Sequence, residues 1–257
     1  MGELGKKVIV ELTVGLGNQL FQYALGRHIS VINDAKLYFD LSRSKMDAAS
    51  YDMRNNVFDL GNFKIEGKVW EGHNLDHYKK TFRVQKLLFG EKFKVIKEEL
   101  FVYDDSVFEK TNKSIYLSGF WQSEQYFKPI SKRLKDELQF KDGVLKGVNK
   151  KVQDEILSTN AVAIHVRRAD YIDDEANNKI YSNLFKEGYY PKAVENIEKL
   201  TENPVYFIFS DDINWCKKHF KLETSSSIRF VENKSAFADF HLMSKCNHNI
   251  IRIELKN

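Results

Sequence analysis

Residues 205–209 (VYFIF) are apolar without a break. An extended segment of that kind needs cover on both faces, which is the situation of an internal strand in a parallel sheet flanked by helices. Pro204 precedes the run, and Ser210, Asp211 and Asp212 close it. A second run, 161–166 (AVAIHV), carries the β-branched Val162, Ile164 and Val166 and ends abruptly in Arg167, Arg168, Ala169 and Asp170. In open α/β sheets ligands sit beyond the carboxyl ends of strands, so polar groups placed there are candidates for binding. Arg167 and Arg168 offer planar donor forks that match the paired oxygens of a phosphate or carboxylate. Asp170 is placed to orient a guanidinium, and His165 to contact a ring or hydrogen-bond the loop. The alternative for these residues is a solvated loop with a surface ion pair, worth little. Asp211 and Asp212 can accept from ribose hydroxyls or from the N–H edge of a purine, and one of the two is expected to be a helix N-cap.

The chain opens on the same plan. Residues 7–12 read as a strand, Gly15, Leu16, Gly17, Asn18 and Gln19 as a tight loop, and Phe21, Ala24, Leu25, His28, Ile29 and Ile32 as one face of a helix. The loop lacks the dinucleotide fingerprint, because Leu20 stands at the third glycine position. It still brings backbone N–H groups and a helix N-terminus to the ligand edge, and Asn18 and Gln19 add amides able to bind a sugar. A plain tight turn is the alternative. Residues 36–40 read as a second strand, whereas 41–113 show no clean periodicity and no His/Asp/Glu spacing typical of a metal site. A strand at 114–119 precedes an expected helix at 120–127, whose aromatics either fill the core, the favoured reading, or floor a sugar site. The polar stretch 141–151, with Gly143 and Gly147, is the candidate boundary, which divides the chain into 1–148 and 149–257.

Beyond the central strand, 172–188 is polar and acidic and reads as a flap. Helices are expected over 190–200, around Trp215 and Cys216, and around Ala236, Phe240 and Met243, with a last strand at 249–253. Strands and helices therefore alternate, which predicts an α/β protein of two doubly wound, Rossmann-like domains. A net charge of +4 is too small and dispersed to argue for nucleic acid. Cys216 and Cys246 form no metal-type or redox pair; a reduced, cytoplasmic protein is the simpler expectation, with a disulfide between them as the alternative. No apolar run is long enough for a membrane span or signal peptide, so any membrane contact should be peripheral, at the inner face.

Five motifs in order give the chain a resemblance to the bacterial α-1,2-fucosyltransferases of glycosyltransferase family 11. They are GLGNQLFQYALG (15–26), SGFWQSEQYF (118–127), HVRRADY (165–171), FSDDINWCK (209–217) and FADFHLMSKCNHNII (237–251). The resemblance implies a GT-B-like fold and inverting transfer from GDP-β-L-fucose to the 2-hydroxyl of a β-galactoside, in a surface glycan or lipopolysaccharide precursor, with no metal or other cofactor required. It implies that Arg167 and Arg168 hold the diphosphate, and that His165, Ser210, Asp211 and Asp212 lie near the guanosine. The loop of Gly15, Gly17, Asn18 and Gln19 would face them across a cleft. Asp170 is the candidate for taking the acceptor's proton. Similar proteins continue past the HNII segment, whereas this sequence reads RIELKN and stops at Asn257. The C-terminal domain is accordingly expected to be incomplete, with a weakly active or merely binding protein as the alternative.

Overall fold

The computed structural model describes residues 5–13, 15–42, 58–70, 93–100, 102–144, 148–166, 188–232 and 235–251. The chain forms two compact units, Met1–Lys141 and Asp142–Asn257.

In the first unit β1 (Lys7–Glu11) leads into α1 (Leu16–Ile32) and then β2 (Lys36–Asp40). Strands β3 (Lys68–Val69), β4 (Phe93–Lys97) and β5 (Ser114–Ser118) complete a sheet of order β3-β2-β1-β5-β4, with every pairing parallel. Side chains alternate across it. Val8, Val10, Leu37, Phe39, Ile115 and Leu117 bury on one face, where Tyr23, Leu25 and Ile29 of α1 pack. Ile9, Tyr38 and Tyr116 bury on the other, against Trp70. The expected loop at Gly15–Gln19 is shorter than its sequence suggests: α1 starts at Leu16, and Gly15 alone caps it, at φ 92°.

The helix expected at 120–127 does not form. Two 3-10 turns, Glu124–Tyr126 and Lys128–Ile130, precede a short α2 (Ser131–Glu137). Trp121 holds φ 58°, outside the helical region, and the Glu98 carboxylate accepts from its N–H and from that of Phe120. The indole is 1% exposed and packs edge-on against Tyr126, so this aromatic belongs to the core. α2 is tied back to α1 through Glu137, which accepts from the Tyr23 hydroxyl at 2.5 Å and from Arg27 Nη2 and Nε at 2.9 and 3.0 Å.

The second unit runs α3 (Lys150–Ser158), β6 (Asn160–Val166), α4 (Tyr189–Leu200), β7 (Pro204–Ser210), α5 (Ile213–His219), β8 (Ser227–Phe230), α6 (Ala236–Met243) and β9 (His248–Ile250). Its sheet is parallel throughout, in the order β8-β7-β6-β9. Val162, Ile164, Val166, Tyr206 and Ile208 pack on one face with Tyr190 and Val194 of α4 and Cys216 of α5. Ala161, Ala163, Phe207 and Phe209 pack on the other with Ile156 of α3 and Leu242 of α6. Helices thus cover both faces, as the apolar β7 requires. The last strand closes at Ile250, short of the expected Ile253, which lies outside the described residues. Among the described residues no helix is long and apolar enough to cross a membrane.

Burial within these units raises the pKa of several acidic hydroxyls and one thiol. Burial lifts Tyr23 and Tyr116 above the usual phenol value, takes Tyr206 from 10.0 to about 12, and takes the Cys246 thiol from 9.0 to about 12. The unfolded chain therefore gives up these protons first as pH rises. Their contribution to stability is whole below the unfolded values and is lost progressively above them. Melting temperatures taken from about pH 8 to 11 should fall steadily above about pH 9; a flat profile across that range would contradict the assignment.

Candidate functional site

Each sheet has one place where its strand order reverses, and an open parallel sheet leaves a crevice there at its carboxyl edge. In the first unit that place lies between β1 and β5, since β2 and β3 continue on the far side of β1 and β4 beyond β5. In the second it lies between β6 and β9, with β7 and β8 on the other side of β6.

The first crevice is tied together by amide side chains of α1. Gln22 accepts from the Thr13 N–H at 3.1 Å and donates from Nε2 to the carbonyl of Gly119 at 2.8 Å, so one residue spans the ends of β1 and β5. Gln19 donates to the Thr13 carbonyl at 3.0 Å and accepts from the Leu60 N–H at 3.3 Å. It is fully buried, so its amide anchors the fold instead of facing a sugar. Gly15 and Gly17 are exposed, and Asn18 Oδ1 accepts from Nε2 of the exposed Gln122 at 2.9 Å. Glu98 sits at the end of β4 with its carboxylate on the N–H groups of Phe120, at 2.6 Å, and Trp121, at 3.1 Å.

On the opposite face of the same edge, Glu11 and Asp40 are neighbours in register and are 4% and 5% exposed. Ser118 Oγ donates to Glu11 at 2.5 Å, and the Tyr116 hydroxyl donates to Asp40 at 3.0 Å. Burial, then the charges of Glu11 and Asp40, hold the Tyr116 phenol protonated. Glu11, Asp40, Gln22 and Glu98 were not singled out by the sequence reading. The first two repeat a signal it used elsewhere, an acidic residue closing an apolar strand; Gln22 and Glu98 carry no local signal, since their partners lie far along the chain.

In the second unit His165 is half-buried near the end of β6, beside Phe209 in register, and its carbonyl accepts from the Tyr190 hydroxyl at 3.4 Å. Val166 pairs with Ser210, which brings the ends of β6 and β7 together. Ser210 Oγ accepts from the Asp212 N–H at 3.0 Å, and Asp212 accepts from the Trp215 N–H at 3.1 Å as the N-cap of α5. Asp211 is exposed beside it. The Tyr189 hydroxyl donates to the Ile251 carbonyl at 2.8 Å, tying α4 to the end of β9. Arg167, Arg168 and Asp170 follow β6 in sequence and lie outside the described residues, as does the expected flap apart from Gly188. Among the described residues no group of three or more His, Cys, Asp or Glu side chains is placed to hold a metal ion.

Two Rossmann-like units of this kind are the GT-B-like architecture of glycosyltransferases. The family model described as glycosyl transferase family 11 matches residues 75–254, and the chain belongs to that family. It is 28% identical to an alpha-1,2-colitosyltransferase of Escherichia coli, over 95% of this chain and 83% of the relative. A 96-residue stretch is 30% identical to galactoside 2-alpha-L-fucosyltransferase Sec1 of Mus musculus, covering 36% of this chain and 25% of that one. Among solved structures, NodZ alpha-1,6-fucosyltransferase co-crystallized with GDP superposes with a TM-score of 0.52 at 13% identity, over 96% of this chain and 87% of the other.

Proposed function

We propose that this glycosyltransferase moves L-fucose from GDP-β-L-fucose to the 2-hydroxyl of a β-galactoside, with inversion at the anomeric carbon, in a surface-glycan or lipopolysaccharide precursor at the cytoplasmic side of the membrane. The observation that carries the donor half is positional. Arg167 and Arg168 follow directly on β6, the strand at which the second sheet reverses its order. As the fucosyl bond breaks, negative charge grows on the β-phosphate of the leaving GDP. Fixed guanidinium donors stabilise that charge more in the transition state than in the ground state, and so accelerate transfer. His165, Ser210 and Asp211 would meet the nucleoside at the neighbouring strand ends, with Asp212 holding α5 in place. Asp170 is proposed to take the proton of the attacking hydroxyl. The first unit would receive the acceptor at the crevice of Gly15, Gly17 and Asn18.

The linkage has support in names: both sequence relatives transfer to a 2-position, one named for an alpha-1,2 and the other for a 2-alpha linkage. Their sugars differ, and the colitosyl relative favours a second reading in which the donor carries colitose, a fucose lacking one ring hydroxyl. Incubation with GDP-fucose or GDP-colitose and a panel of β-galactosides, followed by linkage analysis, separates the two. A 2-linked fucosyl product is expected. A product from the colitosyl donor alone supports the second reading, and GDP binding without transfer from either donor refutes both. Because the diphosphate is assigned to arginines, transfer should persist in excess chelator; activity that returns only on adding magnesium or manganese would overturn that assignment.

A further inference from the structure

The turn that follows β5 has an improbable backbone, held in place by a residue from another strand. Trp121 is a bulky residue at φ 58°, a region that such side chains rarely occupy. The preceding Gly119 has no room for a side chain, because a Cβ there would lie 2.5 Å from Cβ of Glu98 and 2.9 Å from the Trp121 ring. The Glu98 carboxylate accepts the two successive N–H groups of Phe120 and Trp121, and charged acceptors bind backbone donors more strongly than neutral ones. From the other side Gln22 holds the Gly119 carbonyl. The consequence appears one residue later: the exposed Gln122 amide is delivered to Asn18, 104 positions away in sequence, at 2.9 Å. That pair lies where the first sheet reverses its order, at the edge between β1 and β5 where ligands of such sheets bind.

We propose that Gln122 and Asn18 form an amide pair that hydrogen-bonds adjacent ring hydroxyls of the acceptor sugar, and that Glu98 is the positioning residue that fixes the pair by holding the Gly119–Gln122 turn. Two amides side by side offer both carbonyl acceptors and N–H donors, the combination that two neighbouring hydroxyls require. Glu98 does not touch the sugar; it sets the turn from which Gln122 projects. The proposal rests on the reading that the first unit receives the acceptor.

The test is steady-state kinetics of Gln122→Ala, Glu98→Gln and their combination in the full chain, varying donor and acceptor separately, beside melting temperatures. Gln122→Ala should raise the acceptor KM about tenfold. The donor KM, GDP affinity and melting temperature should not change. Glu98→Gln should raise the same KM, since a neutral amide oxygen accepts these N–H groups more weakly than a carboxylate and its NH2 group would stand against the Trp121 N–H. The double variant should be no worse than the poorer single variant, as expected of residues acting as one unit. An unchanged acceptor KM in Gln122→Ala overturns the proposal. So does a Glu98→Gln variant that loses only thermal stability, or whose donor KM rises as much as its acceptor KM. Transfer by the wild type to a different hydroxyl would refute the 2-linkage while the same KM comparison still judges the amide pair. No transfer by the wild type to any acceptor would refute the functional reading first and this proposal with it.

Discussion

Replacing Arg167 or Arg168 by alanine should lower the turnover of fucosyl transfer by on the order of 10²-fold, with melting temperature unchanged. The size of the effect separates the two readings open for the Arg-Arg pair. Exposed ion pairs typically contribute under about 1 kcal/mol, and losing one would leave transfer untouched. Losing a preorganised donor to a phosphate that gains charge in the transition state costs about 3 kcal/mol. Lysine should not restore full activity at a position that uses both prongs of the fork, because its single ammonium cannot bind two oxygens side by side. If the loss falls on kcat, the arginines act on the leaving group; if it falls on the donor KM alone, they merely bind the nucleotide. Wild-type transfer and unchanged GDP affinity in both alanine variants would remove the donor assignment altogether.

The parts of this fold that could be read from the sequence are those whose local chemistry matches their environment. β6 and β7 are central strands covered on both faces by helices, so their middles had to be apolar, Ala161 to Ile164 in β6 and Val205 to Phe209 in β7, and these runs could be seen. β1, β2 and β5 announce themselves in the same way. The edge strands do not. β3 is two residues long, β4 buries none of its side chains fully, and β8 alternates exposed with half-buried positions, so none needs an apolar run. α3 was hidden for a related reason: Ile156 is its single fully buried residue, and the polar remainder resembles a linker.

Tertiary contacts account for the other differences. A polar residue in the first turns of α1 looks like a solvated or ligand-facing group, yet Gln19 and Gln22 are both fully buried and bond to backbone as far away as Gly119. Such partners are invisible to any local pattern. Likewise, 120–127 has the aromatic spacing of a helix start, but Trp121 stands at φ 58°, outside the helical region, in a turn that Glu98 holds from beyond the end of another strand. Asp212 is the opposite case. An aspartate at the foot of an apolar strand, just ahead of a helix, has a local partner, and its capping bond to Trp215 could be anticipated.

Gly26→Ala should destabilise the protein although alanine is the better helix former, and the reason lies in how α1 meets the sheet. In an exposed helix the change would gain about 1 kcal/mol. Here a Cβ on Gly26 would lie 2.3 Å from Cγ2 of Val10 and 3.2 Å from Cδ1 of Leu37. Val10 is fully buried in the central strand β1 and is β-branched, so it cannot easily turn its methyl away. Forcing a methyl into such a contact costs about 1–3 kcal/mol or more, which outweighs the helical gain. A net fall in melting temperature of about 3–8 °C is expected, and Gly26→Val should fall further. In dinucleotide-binding units the third glycine of the loop permits this close approach of helix and strand; this chain has Leu20 at that position and makes the approach at Gly26, two turns further along α1. The displaced helix would carry Gly17 and Asn18 with it, so the acceptor KM should rise in step with the loss of stability. Val10→Ala supplies the decisive control: harmful alone because it opens a cavity, it should become nearly neutral or restorative in the Gly26→Ala background, where the new methyl fills that space. Additive losses in the double variant would show that the helix is not held away from β1 by this contact.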